Sequence, residues 1–193
     1  RAYSYAVLFD VVGENGIVRN LKNTLVRDAI AKINNGLIED CRGEGDTGEA
    51  YVRTSNLGAI AGENTGTIRR CFAKSEKKNP YDIDTKHSGI GGICGFNNGG
   101  IIEECYAEIT IRVRYGRAVG GIAGDNTGGI IRNCYSRCYL VSEGIEAGGI
   151  VGKLNYGTVE NCISRSPRTD GHKSSGEIAG AVYGDSKIIN CYF

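Results

Sequence analysis

Methionine and tryptophan are absent from this 193-residue chain, and proline and histidine each occur only twice. Because proline is so scarce and the 30 glycines follow no Gly-X-Y period, the chain is not collagen-like, and its composition argues against simple disorder. No apolar run approaches the roughly 18 residues of a membrane-spanning helix, so we expect no membrane insertion in this segment. The formal net charge is only +1, which gives no general attraction to nucleic acid or to anionic lipid.

Motifs for cofactor and metal binding are missing as well. The chain contains no Cys-x-x-Cys pair and no phosphate-binding loop of the Gly-x-x-x-x-Gly-Lys-Ser/Thr type. A serine or cysteine nucleophile would need a nearby histidine, and His87 and His172 both stand in polar segments with no evident partner. Asp82, Asp84 and His87 could ligate a cation, although such residues in a surface loop are more often simply solvated. We therefore expect no cofactor, no metal and no nucleic-acid partner.

The dominant feature of the sequence is an internal repeat. Gly-Gly-Ile-Ala-Gly at residues 120–124 recurs with one change at residues 91–95 and at residues 148–152. Each copy is followed by a turn with glycine, then by an isoleucine or valine and a cysteine. After the first unit the spacing is about 28 to 33 residues. The units begin near Val11, Ile30, Ile60, Ile93, Ile122, Ile150 and Ile178. A period of this length indicates structural units that stack on one another.

Each unit contains three short strand signals separated by glycine-rich turns. The clearest is the run 105–113, in which small or apolar residues alternate with polar or aromatic ones, as in a half-buried strand. A helical repeat is excluded because no window shows helical periodicity, and a propeller blade would need about 40 to 50 residues. We therefore predict an all-β fold, a parallel β-helix of about seven coils with roughly three short strands per coil. Residues 1–193 should form one such solenoid domain, processed or excised from a larger protein.

Stacked coils place equivalent residues about 4.8 Å apart, so each repeat position should form a column along the axis. The asparagine of each turn should build a ladder in which every side-chain amide donates to the next one. Glycines beside these asparagines should supply the positive φ that a tight corner needs. The predicted asparagine ladder consists of Asn15, Asn34, Asn64, Asn97, Asn126 and Asn155.

Six of the eight cysteines occupy a second equivalent position, which is typical of a core column rather than of a disulfide framework. They should point inward and fill space as small apolar side chains. Neighbouring thiols would be close enough to bridge, but in-register parallel strands offer poor disulfide torsions, so both reduced and bridged states stay open. The predicted cysteine ladder consists of Cys41, Cys71, Cys105, Cys134, Cys162 and Cys191.

An aromatic residue follows the column cysteine in most units and should face outward. Such a stripe could bind sugar rings or a protein partner. It could equally stabilise the sheet by cross-strand pairing or lie beneath a loop. The candidate binding residues are Phe72, Tyr106, Tyr135, Tyr139 and Tyr192.

Some β-helix proteins cleave polysaccharides with paired carboxylates in a groove. The best pair in this sequence is Glu63 and Asp125, which share a turn position two coils apart with Phe96 between them. Carboxylates at such positions more commonly face solvent at a turn, so we predict no enzymatic activity and no catalytic residue.

The repeated pattern resembles the bacterial GLUG repeat, whose usual form reads Gly-Leu-Val-Gly-x-Asn-x-Gly-x-Ile-x-Asn-Cys-Tyr-Ala/Ser. Residues 121–136 and 149–164 fit it closely, and residues 92–107 and 59–73 fit with small changes. The terminal units fit loosely, because Lys32 replaces a glycine and the last turn lacks asparagine. The resemblance implies a right-handed β-solenoid of a secreted or surface-attached protein, commonly adhesin-like or a non-catalytic region of an IgA-specific metalloprotease. The His-Glu-x-x-His zinc motif of those proteases is absent.

From these observations we expect a non-catalytic extracellular repeat domain of a bacterial surface or secreted protein, acting as a rigid stalk or an adhesive, binding module. The expected partners are a host or neighbouring-cell glycan or protein and the flanking domains of the parent protein. One alternative is an accessory domain of a secreted protease or a carbohydrate-active β-helix enzyme. Another is a fibre subunit that self-associates end to end through open strand edges.

Overall fold

A computed structural model describes residues 7–24, 29–45, 56–75, 81–83, 89–113, 117–143, 146–171 and 173–193. Within these residues the regular structure consists of 28 short β-strands. The described residues contain no helix that is long and apolar enough to cross a membrane. All pairings between these strands are parallel, and each strand pairs with its equivalents in adjacent coils. The chain is therefore a parallel β-solenoid, which confirms the fold class predicted from the repeat.

The strands form five sheets that run along the solenoid axis. Sheet 1 contains β1 (Phe9–Val12), β4 (Ala31–Asn34), β7 (Ala61–Asn64), β12 (Cys94–Asn98), β17 (Ala123–Thr127), β22 (Val151–Asn155) and β27 (Ala179–Tyr183). Sheet 2 contains β2 (Ile17–Arg19), β5 (Leu37–Glu39), β8 (Thr67–Arg69), β13 (Ile101–Glu103), β18 (Ile130–Arg132), β23 (Thr158–Glu160) and β28 (Lys187–Ile189). Sheet 3 contains β3 (Lys22–Asn23), β6 (Arg42–Gly45), β9 (Phe72–Ser75), β14 (Tyr106–Glu108), β19 (Tyr135–Ser136) and β24 (Ile163–Ser164). Sheet 4 contains β10 (Tyr81–Ile83), β15 (Thr110–Val113), β20 (Tyr139–Ser142) and β25 (Arg168–Gly171). Sheet 5 contains β11 (Gly89–Gly91), β16 (Ala118–Gly120), β21 (Glu146–Gly148) and β26 (Ser174–Gly176).

Central coils contain five strands each, rather than the three that the sequence predicted. The alternating run 105–113 divides at Ile109 into β14 and β15, although its odd-numbered side chains are buried throughout, as expected. The residues before each Gly-Gly-Ile step add a further short strand, such as β16, to sheet 5. The alternation predicted which side chains are buried, but it did not predict that the strand is interrupted at Ile109. The interruption left no signal because odd-numbered residues point inward on both sides of it.

Inward-facing aliphatic side chains fill the core in two columns, one at the Gly-Gly-Ile step and one in sheet 2. The fully buried members at the step are Ile30, Ile60, Ile93, Ile122 and Ile150, and those in sheet 2 are Ile38, Ile68, Ile102, Ile131 and Val159. Each such side chain contributes on the order of 2 kcal/mol of apolar burial. Because one coil has only a few of them, the columns stabilise the fold only when coils stack.

The repeated glycines stand where one layer of backbone approaches another. A Cβ on Gly124 would collide with the backbone of Gly89 and Ile90, in sheet 5 of the preceding coil. A Cβ on Gly121 would collide with the carbonyl oxygen of Gly149 in the next coil. Close packing within and between coils therefore explains the Gly-Gly-Ile-x-Gly sequence.

The last coil exposes side chains whose equivalents are buried in the middle of the solenoid. Val182 follows Leu154 in one column and Ile188 follows Val159 in another, yet they are 49% and 43% exposed. Leu8 and Phe9 are similarly exposed at the opposite end. The described residues contain no further coil that would cover either end.

Candidate functional site

Four buried asparagines form a continuous hydrogen-bonded ladder at the corner between sheets 1 and 2. The Nδ2 atom of Asn34 donates to Oδ1 of Asn64 at 2.7 Å, and Asn64 donates to Asn97 at 2.8 Å. Asn97 in turn donates to Asn126 at 2.7 Å and to the carbonyl oxygen of Gly100 at 2.9 Å. All four side chains are fully buried. The ladder thus satisfies polar groups that would be costly to bury without partners.

The predicted asparagine ladder was wrong at both ends. Asn15 is exposed in a turn, and Val12 takes the position next to the first rung. Asn155 lies one residue beyond the column, and the fully buried Leu154 takes its place. At Asn155 the cause is spacing, because the asparagine comes four residues after the step isoleucine in the four true rungs and five residues after it in this unit. At Asn15 the predicted start of the unit at Val11 was wrong, because Phe9 pairs with Ala31 and Val12 with Asn34. Aliphatic side chains therefore flank the ladder on both sides.

Positive φ occurs at Gly99 and Gly128 beside the ladder but not at Gly36 or Gly66, so the prediction about these glycines holds for only some turns. Seven of the eight non-glycine residues with positive φ among those described lie instead at the corner between sheets 2 and 3. They are Asn20, Asp40, Arg70, Glu104, Asn133, Asn161 and Asn190, with φ between 49° and 58°. Asparagine and aspartate tolerate this left-handed conformation better than other non-glycine residues. This explains the Asn-Cys pair of the repeat, whose conformational meaning sequence reasoning missed.

The six cysteines of the predicted column follow this corner in register. The sulfur of Cys105 lies 3.8 Å from the carbonyl oxygen of Ile68 in the preceding coil and 3.2 Å from that of Glu103. All eight cysteines are free thiols, and all but Cys191 are buried. Burial raises the pKa of the Cys105 thiol and raises that of Cys138 to about 11. The fully buried Cys138 thiol and the Cys105 thiol therefore act as small core side chains rather than as nucleophiles.

A column of alternating charge lies on the outer side of sheet 2. In register order it contains Arg19, Glu39, Arg69, Glu103, Arg132 and Glu160. Glu39 lies 2.7 Å from Arg69 and 2.6 Å from Arg19, and the hydrogen bond from Arg69 holds the pKa of Glu39 below its usual value. Glu103 pairs with Arg132 at 2.6 Å. Opposite charges thus satisfy one another along this face, a regularity that the charges at one repeat position could have revealed.

A shallow groove of about 590 Å³ lies beside this charged column. Its lining includes Ile17, Leu37 and Thr67 of sheet 2 as well as the charged Arg69 and Glu103. Both charged side chains already belong to the alternating column. The groove therefore offers a ligand a mixed polar and aliphatic surface, in which Arg69 and Glu103 are already paired.

Three of the five predicted binding aromatics form a stack on the outer face of sheet 3. The ring centroids of Phe72 and Tyr106 are 4.8 Å apart, and those of Tyr106 and Tyr135 are 5.1 Å apart, with ring planes inclined by 12° and 18°. Both faces of the Tyr106 ring are covered by neighbours, so a sugar ring cannot stack on it. Tyr139 lies in sheet 4 and Tyr192 in the last coil, so the five residues do not form one cluster. The stack itself is cross-strand stabilisation of the sheet.

Basic side chains flank this stack, and we call the outer surface of sheet 3 and its direct continuation the basic aromatic face. Its basic residues are Lys22, Arg42, Lys74, Arg137 and Arg165, and its acidic residues are Glu44 and Glu108. The Tyr106 hydroxyl donates to Glu108 at 2.8 Å, and burial together with this carboxylate raises the pKa of Tyr106 to about 12. The face therefore combines an aromatic centre with an excess of positive charge.

The possible carboxylate pair shares one outward column of sheet 1. Glu63 and Asp125 each pair in register with Phe96, as the repeat predicted. Asp125 accepts a hydrogen bond from the Thr127 hydroxyl at 2.8 Å and lies 3.1 Å from the Lys153 ammonium group. Its carboxylate is thus already bound within a surface ion pair.

Two of the residues considered as cation ligands, Asp84 and His87, lie outside the described residues, as does the side chain of Asp82. In the part of the chain that the structure describes, no group of three or more His, Cys, Asp and Glu residues is placed to hold a metal ion.

Parallel stacked coils with buried asparagine and cysteine columns define the chain as a β-solenoid repeat protein. Two adjacent segments, residues 87–112 and 115–137, match the family model described as the GLUG motif. These two segments are therefore similar to the GLUG motif and lie within a β-solenoid, and they contain two of the four segments at which the sequence resembles that repeat. No curated protein and no solved structure matches the chain significantly.

Proposed function

We propose that this chain is a non-catalytic extracellular repeat domain that serves as a rigid module of a bacterial surface or secreted protein and presents a binding face. The observation that supports rigidity is the asparagine ladder. Its three amide-to-amide bonds, all between 2.7 and 2.8 Å, join four successive coils through the core. A displacement of one coil against the next would break these bonds in a buried site, where unpaired polar groups are costly.

Backbone hydrogen bonds between coils also support the rigidity of the solenoid. Sheets 1 and 2 each contain seven parallel strands, so hydrogen bonds along the axis join every coil to its neighbours on two sides. At about 4.8 Å per strand, sheet 1 extends over about 30 Å. A scaffold of this kind holds its outward columns at fixed distances, which suits a stalk or a repetitive binding surface.

A repeat-duplication experiment tests the rigid-module proposal. Residues 122–149 span one coil, and a variant carrying a second copy of them should lengthen by about 5 Å, as measured by small-angle X-ray scattering. Its melting temperature should not fall below that of the parent chain, because every added residue reproduces existing contacts. A variant that loses its β-sheet signal, or that grows in width rather than length, would contradict the proposal.

The extracellular part of the proposal is supported by the GLUG repeats and is tested in the native cell. An epitope inserted after Gly99, where the turn opens into free space, should leave the core intact. We expect antibody to label this epitope on intact cells or to detect it in the medium. Labelling that requires cell lysis would place the protein inside the cell and count against the proposal.

A further inference from the structure

We infer that the basic aromatic face binds an acidic polysaccharide that lies along the solenoid axis. This inference rests on the binding role proposed above and specifies its ligand. The face carries five basic and two acidic side chains, although the whole chain has a formal net charge of only +1. Positive charge is thus concentrated on one side of the solenoid, and a polyanion is the partner that complements it.

The basic side chains are only partly neutralised by the carboxylates of the same face. Lys22 lies 2.7 Å and Arg42 lies 3.8 Å from the single carboxylate of Glu44, and Arg137 lies 3.7 Å from Glu108. These three basic side chains are 58%, 64% and 61% exposed. Arg165 has no carboxylate within ion-pair distance among the described residues. Exposed ion pairs of this kind contribute little to stability. The guanidinium groups can therefore exchange these partners for the anionic groups of a ligand.

The positions of the cations follow the solenoid axis. The first, second, third, fifth and sixth coils each contribute one, from two adjacent columns: Lys22, Arg42, Lys74, Arg137 and Arg165. With about 4.8 Å between coils, these charges extend over about 24 Å. A linear sugar polymer with a carboxylate or sulfate ester on successive units can meet such a row repeatedly, whereas a compact ligand would reach only part of it.

The aromatic stack helps to distinguish among polyanions. Single-stranded nucleic acids bind through bases that stack on open aromatic faces, and both faces of Tyr106 are already covered by Phe72 and Tyr135. An extended acidic peptide gains affinity by adding a strand to a sheet edge, but this surface is the face of sheet 3. A polysaccharide needs neither feature, because its anionic groups meet the cations while its hydroxyls reach the exposed rims of the rings.

Binding to dextran sulfate tests the inference, with uncharged dextran as the control of identical backbone. The 193-residue chain should bind dextran sulfate in isothermal titration calorimetry and should not bind dextran. The affinity should fall steeply between 50 and 200 mM salt, by about tenfold or more, because several counterions are released. The double variant Arg137→Gln, Arg165→Gln should bind about tenfold more weakly in low salt and should show a shallower salt dependence.

The variant Lys187→Gln removes one positive charge from sheet 2, outside the basic aromatic face, and should change the affinity less than about twofold. Equal binding of dextran and dextran sulfate, or an unchanged affinity of the double variant, would overturn the inference. Tighter binding of polyglutamate or single-stranded DNA than of dextran sulfate, lost in the same double variant, would also overturn it in favour of another polyanion. None of these outcomes affects the length measurement that tests the rigid module.

Discussion

The two corners of each coil meet the same packing requirement with different chemistry. At the corner between sheets 1 and 2, Asn97 is fully buried and donates hydrogen bonds to both Asn126 and Gly100. At the corner between sheets 2 and 3, Cys105 is almost as buried, but its sulfur makes only weak contacts, to carbonyl oxygens at 3.2 and 3.8 Å and to the neighbouring thiols of Cys71 and Cys134. Thiols are weak hydrogen-bond donors. The first corner is therefore stabilised by directional hydrogen bonds. The second is stabilised by the packing of the cysteine side chains and by the left-handed backbone conformation of the residue before each cysteine.

This difference implies that the two columns respond differently to mutation. An interior asparagine has one amide partner on each side, so its removal takes the short amide-to-amide hydrogen bond from buried polar atoms in two neighbouring coils. A cysteine leaves behind only a small loss of volume. The asparagine column should therefore behave as a coupled unit, whereas the cysteine column should behave as a set of nearly independent sites.

The largest effect is expected for Asn97→Leu, which keeps the branched shape of an interior rung but replaces its amide with methyl groups. The Asn64 amide would lose its shortest hydrogen bond and keep only longer ones to the Gly66 and Ile101 carbonyls, and the Asn126 carbonyl would lose its donor. We therefore expect a loss of about 3 kcal/mol in the free energy of unfolding. Asn126→Leu, at the end of the ladder beside Leu154, should cost only about 1 kcal/mol. Urea denaturation measures both variants. Equal costs would show that the ladder is not coupled along the axis.

An effect of intermediate size is expected in the pH dependence of the free energy of unfolding, to which thiols contribute and amides do not. The pKa of the fully buried Cys138 thiol is raised to about 11, from 9.0 for a free thiol, mainly because burial disfavours the thiolate. The unfolded chain therefore releases this proton first as the pH rises. The corresponding stability is complete below pH 9 and is lost as the pH rises toward 11, on the order of 2 kcal/mol for this residue. Amides do not titrate, so the asparagine column should contribute nothing to this change.

Thermal melts of the parent chain and of Cys138→Ala at pH 8 and pH 10.5 check this effect. The melting temperature of the parent should fall more between the two pH values than that of the variant, because the variant lacks one titrating thiol. Parallel declines in the two proteins would contradict the raised pKa of Cys138.

A smaller effect is expected for Cys105→Ala, which tests the cysteine column directly. The substitution removes the weak sulfur contacts and a small buried volume, so it should cost about 1 kcal/mol. The double variant Cys105→Ala, Cys134→Ala should cost about the sum of the two single changes. A cost similar to that of Asn97→Leu, or strong non-additivity, would mean that the thiols hold the coils together by hydrogen bonds after all.

The interior of the solenoid was predictable from sequence because its repeat positions keep a constant spacing. Asn64 and Asn97 stand four residues after their step isoleucines, and the structure places both in the ladder. Asn155 stands five residues after its step isoleucine, and assigning ladder positions by residue type alone overlooked this difference. In a strand of period two, a shift of one residue moves a side chain to the other face.

The outer faces were less predictable, because their properties depend on which strands become neighbours. The aromatic column was visible in the sequence, but the covering of both faces of Tyr106 is a property of ring orientation. The basic excess of sheet 3 was hidden, since Lys22 and Arg165 are 143 positions apart and the total charge is near zero. The strands of sheet 5 lacked a clear signal because glycine-rich segments carry no alternating pattern.

The smallest expected effect is a gain of stability at the corner between sheets 2 and 3. There the backbone conformation of the residue before each cysteine, rather than its side-chain contacts, determines the effect of a substitution on the free energy of unfolding. Glu104 is exposed and adopts φ of 54°, and Asn133 occupies the same position in the next coil with the same φ. Because asparagine tolerates the left-handed region better than glutamate, Glu104→Asn should stabilise the fold by about 0.5 kcal/mol. The reverse exchange, Asn133→Glu, should destabilise it by a similar amount, and chemical denaturation of the two variants measures both. Changes of the same sign would show that local side-chain contacts, not the conformation of the corner, decide which residue precedes the cysteine.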